Sequence, residues 1–311
     1  MLPFPETFRI YGIVELGALR GITPATGSKV MNVSVIIPTF NRPASSTRLL
    51  AALIPQVLSR NFDGSVEVIM VDDHSRELDH NQLLEKLNDY PDGILRLISR
   101  ASSGGPSAAR NTGILKAGGD LLVFLDDDCI PGDSYLSETV RIHAKYPQVL
   151  LINGNLRALR NDSISQFWFH YYSHAFNTGE GELYRIHRIS SGNFSIKRSL
   201  LESFNPLFDE NLPSREDYDL YLRLSMAGIP IFKADSIHAI IECRRTLREL
   251  LRQRAWYRHG ETRLRQKYSD AFLREKQSGP YPRPSLAFIH IHILLYLDRM
   301  VRSLPKRSDS L

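Results

Sequence analysis

Three consecutive carboxylates follow an apolar segment of the sequence. Asp126, Asp127 and Asp128 come directly after LLVFL, residues 121–125. Carboxylates placed side by side repel one another, and each raises the pKa of its neighbours unless a cation compensates the charge. Mg²⁺ and Mn²⁺ prefer oxygen ligands and often bind through one or two carboxylates together with the phosphates of a substrate. The triplet therefore predicts a site for a divalent cation and a phosphate-bearing ligand; a solvated turn after a strand is the alternative.

Other phosphate-handling sites fit the triplet less well. In a DxDx(T/V) phosphatase motif, Asp126 and Asp128 would be the two aspartates, but Ile130 stands where Thr or Val is required, and the motif belongs after a first strand. No GxGxxG follows a predicted strand, which disfavours dinucleotide binding. A nucleotidyltransferase would need a glycine-rich loop with Arg and Lys after its first strand, and PTFNRP contains no glycine.

Apolar strands alternate with helices before the triplet and must position it. This alternation predicts a mainly parallel sheet with right-handed crossovers, and fully apolar strands are typical of a sheet that helices cover on both faces. Ligands bind beyond the carboxyl ends of the strands in such sheets. Polar residues stand there at 38–42, 72–75 and 126–128. The predicted strands are 33–38, 66–71, 94–99 and 121–125, and the predicted helices are 45–58, 77–90 and 106–118.

Length and cysteine content limit the class of protein. The chain has 311 residues, 42% hydrophobic and 23% charged, enough for one large α/β domain with an appendage. Cys129 and Cys243 form no CxxC pair, which indicates a reducing compartment. No run of 18 apolar residues occurs, and the N-terminus lacks the pattern of a signal peptide. We therefore expect a cytoplasmic protein.

The C-terminal part of the chain is basic. The net charge is +5, and from Arg244 onward the sequence contains 16 Lys and Arg but 6 Asp and Glu. Such a segment attracts nucleic acid, anionic lipid or phosphorylated substrates. Because no nucleic-acid-binding motif accompanies it, we expect peripheral contact with the inner face of the cell membrane or with a lipid-linked phosphate; a solvated helical face is the alternative. Residues 285–305 are predicted to form a helix docked on the domain, or an amphipathic helix at a membrane surface.

Five motifs occur in a fixed order: SVIIPTFNRP, VIMVDDHS, PSAARNTGI, FLDDDCIPGD and a longer segment from GNFSIKRS to SREDYDLYLRLSMAG. In these motifs the sequence resembles family 2 glycosyltransferases of the GT-A fold, a group of inverting nucleotide-sugar transferases. The resemblance extends from about Val33 to about Gly260. It implies transfer of a sugar, with Mn²⁺ or Mg²⁺, from a nucleotide-sugar donor, most often a UDP-sugar. The acceptor would be a saccharide or lipid-linked precursor of a cell-surface glycan; a catalytically idle sugar- or partner-binding relative is the alternative.

The resemblance implies a nucleotide-sugar site built from the strand ends. Asp128 would be the principal metal ligand with Asp126 beside it, and His238 would add a further ligand unless its role is structural. Asp126 and Asp127 would also hold the ribose, and Arg110 would approach the base or the diphosphate. The other residues implied to bind the nucleotide sugar are Pro38, Thr39, Asn41, Arg42, Asp72, Asp73, Gly192 and Asn193.

The resemblance also places a catalytic base at the start of a helix. Inverting transfer needs a carboxylate that takes the proton of the acceptor hydroxyl as its oxygen attacks the anomeric carbon. Asp217 would be this base, with Glu216 as second choice. Leu220 and Leu224 are four residues apart, as on the buried face of a helix, and acids in the first turn suit the helix dipole. Helix-start acids without a catalytic role are the alternative.

We expect three regions along the chain. Residues 1–31 form an N-terminal extension without clear periodicity. Residues 32–245 form the catalytic domain, with a nucleotide-sugar half (32–130) and an acceptor half (131–245). Residues 246–311 form a basic helical tail. Charge alone predicts that four residues of the C-terminal segment face the diphosphate, namely Arg244, Arg245, Arg258 and His259.

Overall fold

The computed structural model describes residues 30–59, 63–76, 93–159, 179–243 and 246–269. The predicted helix 77–90, the predicted segment 285–305, and Arg244 and Arg245 lie outside the described residues. Most of the N-terminal extension and the tail beyond residue 269 lie outside them as well.

Four apolar segments of the N-terminal half form parallel strands. They are β1 (Val33–Thr39), β2 (Val66–Asp72), β3 (Leu95–Ser99) and β4 (Leu121–Leu125). Their order in the sheet is β3-β2-β1-β4, and every pair is parallel. Each strand begins and ends within one residue of its predicted bounds. The carboxyl ends of β1, β2 and β4 therefore meet at one edge, as the α/β prediction requires.

Five further strands extend the sheet: β5 (Cys129–Pro131), β6 (Leu151–Ala158), β7 (Tyr184–Ile186), β8 (Asn193–Lys197) and β9 (Ile231–Ile241). The sheet continues from β4 as β8-β6-β9-β5, and β7 pairs with β9. Only β6 and β9 are parallel among these pairs, so the second half of the sheet is mixed. The reversal after β4 sets its carboxyl end beside the start of β8.

Helices cover both faces of the sheet. They are α1 (Pro43–Ser59), α2 (Gly105–Lys116), α3 (Tyr135–Lys145), α4 (Glu216–Met226) and α5 (Leu247–Lys267), with a 3-10 helix at Arg198–Glu202. α1 continues through Pro55, where the sequence predicted a bend or an interruption. Among the helices described, none has the length and hydrophobicity that a membrane crossing requires.

The side chains of β4 alternate between two hydrophobic cores. Val123 and Leu125 belong to the core under α1 and α3, whereas Leu122 and Phe124 belong to the core under α2 and α4. Phe124 stacks on Phe194 of β8, with ring centroids 4.5 Å apart. Protein interiors are close-packed, so a strand anchored on both faces has little freedom to shift. Core packing therefore fixes the position of the three carboxylates that follow β4.

α5 packs against α4 and the segment before it. Ser214 Oγ donates a hydrogen bond to the carbonyl oxygen of Trp256 at 3.1 Å. Gly260 lies so close to Ser214 that a Cβ atom on Gly260 would overlap its carbonyl oxygen. At the other end of α5, Lys267 Nζ lies 2.7 Å from Oδ1 of the fully buried Asp219. These contacts hold one face of α5 next to the start of α4.

His143 is a buried imidazole at the interface of α3 and the sheet. Its Nε2 lies 2.8 Å from Ser195 Oγ, while Nδ1 has no hydrogen-bond partner among the described residues. Burial lowers the pKa of His143 to about 3, and the positive charge of Lys197 lowers it further. A histidine that is neutral when folded takes up a proton in the unfolded chain at a higher pH. Folding stability therefore depends on pH through this residue.

We expect the free energy of unfolding to fall as the pH drops below about 6.5, by up to about 1.4 kcal/mol per pH unit from this residue. The unfolded state is then protonated at His143 and the folded state is not. Thermal unfolding midpoints between pH 7 and pH 5 measure this slope. His143→Gln should flatten it, and His259→Gln, at an exposed position of α5, should leave it unchanged. Equal slopes in all three proteins would contradict the prediction.

Candidate active site

A cavity of about 810 Å³ lies at the carboxyl ends of β1, β2 and β4. The start of α2, the loop 188–192, the start of α4 and one face of α5 complete its walls. Its volume is within the range of small-molecule sites, roughly 300 to 1,000 Å³. The predicted site residues that line it are Pro38, Thr39, Arg42, Asp73, Arg110, Asp126, Asp127, Asp128, Gly192, Glu216 and Asp217.

Asp127 is the buried member of the triplet. Thr39 Oγ1 donates a hydrogen bond to Asp127 Oδ2 at 2.8 Å, and Arg42 Nη1 donates to Oδ1 at 2.9 Å. Burial raises the pKa of Asp127 to about 7; the Arg42 charge opposes this rise, and repulsion from Asp128 adds to it. Asp127 thus ties the residues after β1 to the end of β4.

Asp128 shares a single guanidinium nitrogen with Asp127. Arg42 Nη1 lies 2.6 Å from Asp128 Oδ2, and the Asp128 side chain is 12% exposed. The backbone of Asp128 is fixed too, because its carbonyl oxygen accepts the N–H of Glu242 at 3.0 Å. Two negative charges at the end of β4 are therefore compensated by one residue that precedes α1.

Arg110 is a buried cation that links the two halves of the site. It lies on α2 and is 2% exposed; its Nη2 donates to Asp126 Oδ1 at 2.5 Å and its Nη1 to Glu216 Oε1 at 2.8 Å. Its guanidinium lies over the ring of Phe208, 5.4 Å from the centroid. Glu216 Oε1 also accepts from Ser191 Oγ at 3.3 Å. Protein carboxylates engage both terminal nitrogens of Arg110. Its contact with the base or the diphosphate, which the resemblance implied, stays a prediction.

Asp217 differs from its neighbour Glu216 because no side chain of the described residues donates a hydrogen bond to its carboxylate. Asp217 Oδ1 accepts only the backbone N–H of Tyr218, at 2.7 Å, among the hydrogen bonds of the described residues. The nearby Arg215 is directed to Glu261, with Nε 3.9 Å from Oε2. Burial raises the pKa of Asp217 to about 6, and repulsion from Glu216 adds to the rise. A cavity-lining carboxylate with this pKa is suited to accept a proton near neutral pH.

Asp73 anchors the start of α2. Its carboxylate accepts hydrogen bonds from the side chains of Arg100 and Ser103 and from the backbone N–H groups of Gly104, at 3.0 Å, and Gly105, at 2.7 Å. Negative charge at a helix N-terminus is favourable. Asp73 also lines the cavity, and its contact with a nucleotide sugar stays a prediction.

Three residues predicted to bind the nucleotide sugar lie outside the cavity lining. Asn41 has a positive φ of 53°, and its backbone N–H donates to Ser75 Oγ at 2.7 Å. Asp72 accepts the backbone N–H of the same Ser75 at 3.1 Å. Asn193 is fully buried and accepts from the hydroxyl of Tyr135 at 2.9 Å. These side chains shape the turns after β1 and β2 and the start of β8, so they support the site without lining it.

His238 lies on β9 but not in the cavity lining. Its ring packs against Gly132, where a Cβ atom would overlap it. Ile241 pairs with Cys129, so β9 reaches the triplet three residues after His238, roughly 10 Å further along the strand. The strand register therefore does not bring His238 to Asp128, and the structure gives no support for His238 as a metal ligand.

Oxygen atoms form the donor set of the cavity. In the stretches that the structure describes, no group of three His, Cys, Asp or Glu side chains could hold a metal ion alone. Mg²⁺ and Mn²⁺ are commonly bound by one or two carboxylates while a phosphate supplies further oxygens. Asp126 and Asp128 line the cavity with side chains 30% and 12% exposed. These two carboxylates fit that mode of binding.

α5 forms a wall of the cavity, but with other residues than those that charge alone predicted. Arg258 and His259, predicted to face the diphosphate, are not among the lining residues. The helix begins with a capping box at 246–249, a TxxE pattern that is visible in the sequence. Side chains three or four residues apart then form one face. The residues of α5 that line the cavity are Gln253, Trp256, Tyr257 and Glu261.

We expect Arg110→Met to lower the free energy of unfolding by about 3 to 5 kcal/mol, because Glu216 is left buried without its cation. Adding Glu216→Met removes the orphaned charge and should restore part of that loss. Urea denaturation of both variants beside the unmodified protein measures the difference. A double variant no more stable than Arg110→Met would show that the pair is not the source of the effect.

Sequence comparison relates the chain to known glycosyltransferases. The sequence model of Glycosyl transferase family 2 matches residues 34–204, more than half of the chain. An uncharacterized glycosyltransferase of Haemophilus influenzae is 29% identical over 199 residues, 62% of this chain and 61% of that protein. TarS of Staphylococcus aureus, a poly(ribitol-phosphate) beta-N-acetylglucosaminyltransferase, is 32% identical over 126 residues, 40% of this chain and 21% of that protein. The chain thus spans about three fifths or less of the length of these relatives.

Solved structures share the fold. The structure of S. aureus TarS 1-349 in complex with UDP-GlcNAc has a TM-score of 0.52 at 20% identity, covering 70% of this chain and 60% of that one. The mannosyltransferase PcManGT from Pyrobaculum calidifontis, in complex with GDP-Man and Mn²⁺, has a TM-score of 0.54 at 17% identity, covering 91% and 85%. These similarities confirm the predicted GT-A type of α/β fold. With more than half of its residues matched by the family, the chain belongs to glycosyl transferase family 2.

Proposed function

We propose that the chain is an inverting, metal-dependent glycosyltransferase that moves a sugar from a nucleotide-sugar to a saccharide or lipid-linked acceptor. The observation that carries this proposal is that one cavity is lined both by the acidic triplet after β4 and by Asp217 at the start of α4. The triplet suits a cation-bound diphosphate, and Asp217 suits the removal of a proton. Membership of the family supports the same reaction.

The donor is proposed to lie along the strand ends. Its nucleoside lies near Pro38, Thr39 and Asp73, and its diphosphate lies near Asp126 and Asp128, which would hold Mn²⁺ or Mg²⁺. The bound cation would stabilise the negative charge of the departing diphosphate. TarS was solved with UDP-GlcNAc, and PcManGT with GDP-Man and Mn²⁺. Both observations support a nucleotide-sugar donor, and we expect a UDP-sugar.

Asp217 is proposed as the general base. The acceptor hydroxyl oxygen attacks the anomeric carbon from the side opposite the nucleotide, and its proton passes to the Asp217 carboxylate. The bond between the anomeric carbon and the diphosphate oxygen breaks, and the bonding electrons leave with the nucleoside diphosphate. Glu216 is unsuited to this role because Arg110 and Ser191 already engage its carboxylate. Attack from the opposite side inverts the configuration of the transferred sugar.

The acceptor is proposed to enter beside α5. Trp256 is 39% exposed and lines the same cavity as Asp217, so an aromatic surface faces the incoming saccharide. The name of TarS specifies a poly(ribitol-phosphate) acceptor, which supports a polymeric acceptor for this chain. A role in cell-surface glycan synthesis and a location at the cytoplasmic side of the membrane stay predictions. Membrane contact through residues 270–311 stays a prediction, because they lie outside the described residues.

Asp217→Asn keeps the size of the side chain but removes the base. We expect transfer to fall by about 100-fold to 10,000-fold, while calorimetry shows unchanged binding of UDP with Mn²⁺. Asp133→Asn, an exposed position outside the cavity lining, should leave both quantities unchanged.

Transfer that survives in Asp217→Asn would remove this residue from the mechanism. The anomeric configuration of the product, read by NMR, tests the stereochemistry separately. A product with the configuration of the donor would contradict inversion even if Asp217 proved essential.

The pH dependence of kcat/KM tests the protonation state of the base. Since the pKa of Asp217 is raised to about 6, we expect kcat/KM to fall about tenfold per pH unit below that value as the carboxylate is protonated. Glu216→Gln removes the neighbouring negative charge and should shift this acidic limb to lower pH. Asp235→Asn, outside the cavity lining, should leave the limb in place. An acidic limb that does not move in Glu216→Gln would assign it to another group.

A further inference from the structure

We propose that Arg42 is the built-in counter-ion of Asp127 and Asp128, that it competes with the divalent cation for Asp128, and that a nucleoside diphosphate relieves the competition by binding the guanidinium. The inference rests on the proposed function and adds an energetic coupling to it. The cation and the nucleotide each bind more tightly when the other is present, and Arg42 is the residue that couples them.

A single nitrogen of Arg42 contacts both carboxylates. Nη1 lies 2.9 Å from Asp127 Oδ1 and 2.6 Å from Asp128 Oδ2. A divalent cation bound to Asp128 would use the same lone pairs as Arg42, and its charge would repel a guanidinium a few ångströms away. Arg42 and the cation therefore oppose each other at this point of the cavity.

Of the two arginines among the described residues that pair with the triplet, Arg42 is the partly exposed one. Its side chain is 36% exposed, whereas those of Asp127 and Asp128 are 6% and 12% exposed. Its backbone carbonyl accepts the N–H of Ser46 at 3.0 Å, so the main chain is held at the start of α1 and a change of partner would involve the side chain alone. Arg110, the second cation at the triplet, is 2% exposed and fixed between two carboxylates. A change of partner is therefore open to Arg42 and closed to Arg110.

A diphosphate beside the triplet offers the guanidinium a new partner. Arginine binds phosphate through paired N–H donors in a planar fork, a geometry that a carboxylate pair bridged by one nitrogen does not use fully. When Arg42 turns to phosphate, the oxygens of Asp128 become available to the cation, and the phosphate adds oxygens of its own. Linkage then requires that the cation raise the affinity for nucleotide by the same factor as the nucleotide raises the affinity for the cation.

The test is a titration of the full-length protein, stripped of metal, with Mn²⁺ alone and in the presence of UDP, with free Mn²⁺ measured by EPR. For the unmodified protein we expect UDP to tighten Mn²⁺ binding by about 5-fold to 150-fold, the usual range of coupling between sites. Arg42→Gln should bind Mn²⁺ alone about tenfold more tightly than the unmodified protein, an effect of about 1.4 kcal/mol. In this variant UDP should tighten Mn²⁺ binding by a much smaller factor.

Two variants control for other effects of the substitution. Arg48→Gln removes an arginine of α1 that pairs with Glu242 outside the cavity lining, and it should behave as the unmodified protein does. Arg42→Lys keeps the positive charge and should retain most of the competition. If circular dichroism shows that Arg42→Gln does not fold, Arg42→Met replaces it in the same titration.

Mn²⁺ binding that is unchanged or weaker in the folded Arg42→Gln variant would overturn the inference, since Arg42 would then only hold the carboxylates in place. Absence of coupling between UDP and Mn²⁺ in the unmodified protein would overturn it as well. A different result separates the two proposals. If the folded, unmodified protein binds neither Mn²⁺ nor UDP, GDP or dTDP, the proposed function itself fails.

Discussion

Negative charge concentrated at the carboxyl end of β4 is the constraint on which the rest of the site depends. Asp126, Asp127 and Asp128 are held there by a strand packed on both faces, so they cannot move apart to relieve their repulsion. The fold compensates them with Arg42 from before α1 and Arg110 from α2. Both helices must therefore stand where these guanidinium groups reach the triplet, and the cavity is the space left between them.

Arg42 and Arg110 compensate the negative charge of the triplet in different ways. Arg110 is buried and joins Asp126 to Glu216 across the line where the sheet changes direction. It ties the start of α4, and with it the segment that carries Asp217, to the end of β4. Arg42 is partly exposed and compensates the other two carboxylates from the side of the cavity. A buried cation thus links Asp126 to the start of α4, and a partly exposed cation faces the place where charged ligands would bind.

Much of this arrangement could be predicted from the sequence because it depends on local patterns. Apolar runs of strand length predicted the four parallel strands, and the motifs in their order predicted the fold. Residue roles were harder to predict, since Asn or Asp at a strand end serves equally well as a ligand or in a turn. Asn41 and Asp72 make turn hydrogen bonds, and their contact with a nucleotide sugar stays a prediction. Glu216, one of the two described carboxylate partners of Arg110, lies 106 residues away in the chain, and the position of His238 depends on strand register. Neither is encoded by neighbouring residues, so only the folded chain reveals them.

The contact between Gly260 and Ser214 has a consequence for how such enzymes can diverge. Gly260 and Ser214 touch where a side chain on Gly260 would not fit. The wall that carries Trp256 is therefore packed directly against the segment that leads into Asp217. A chain that exchanged α5 for another helix, in order to admit a different molecule, would have to keep this single small residue or lose the alignment of its carboxylate. Sequence variation of this wall is therefore expected on the faces of α5 on either side of Gly260.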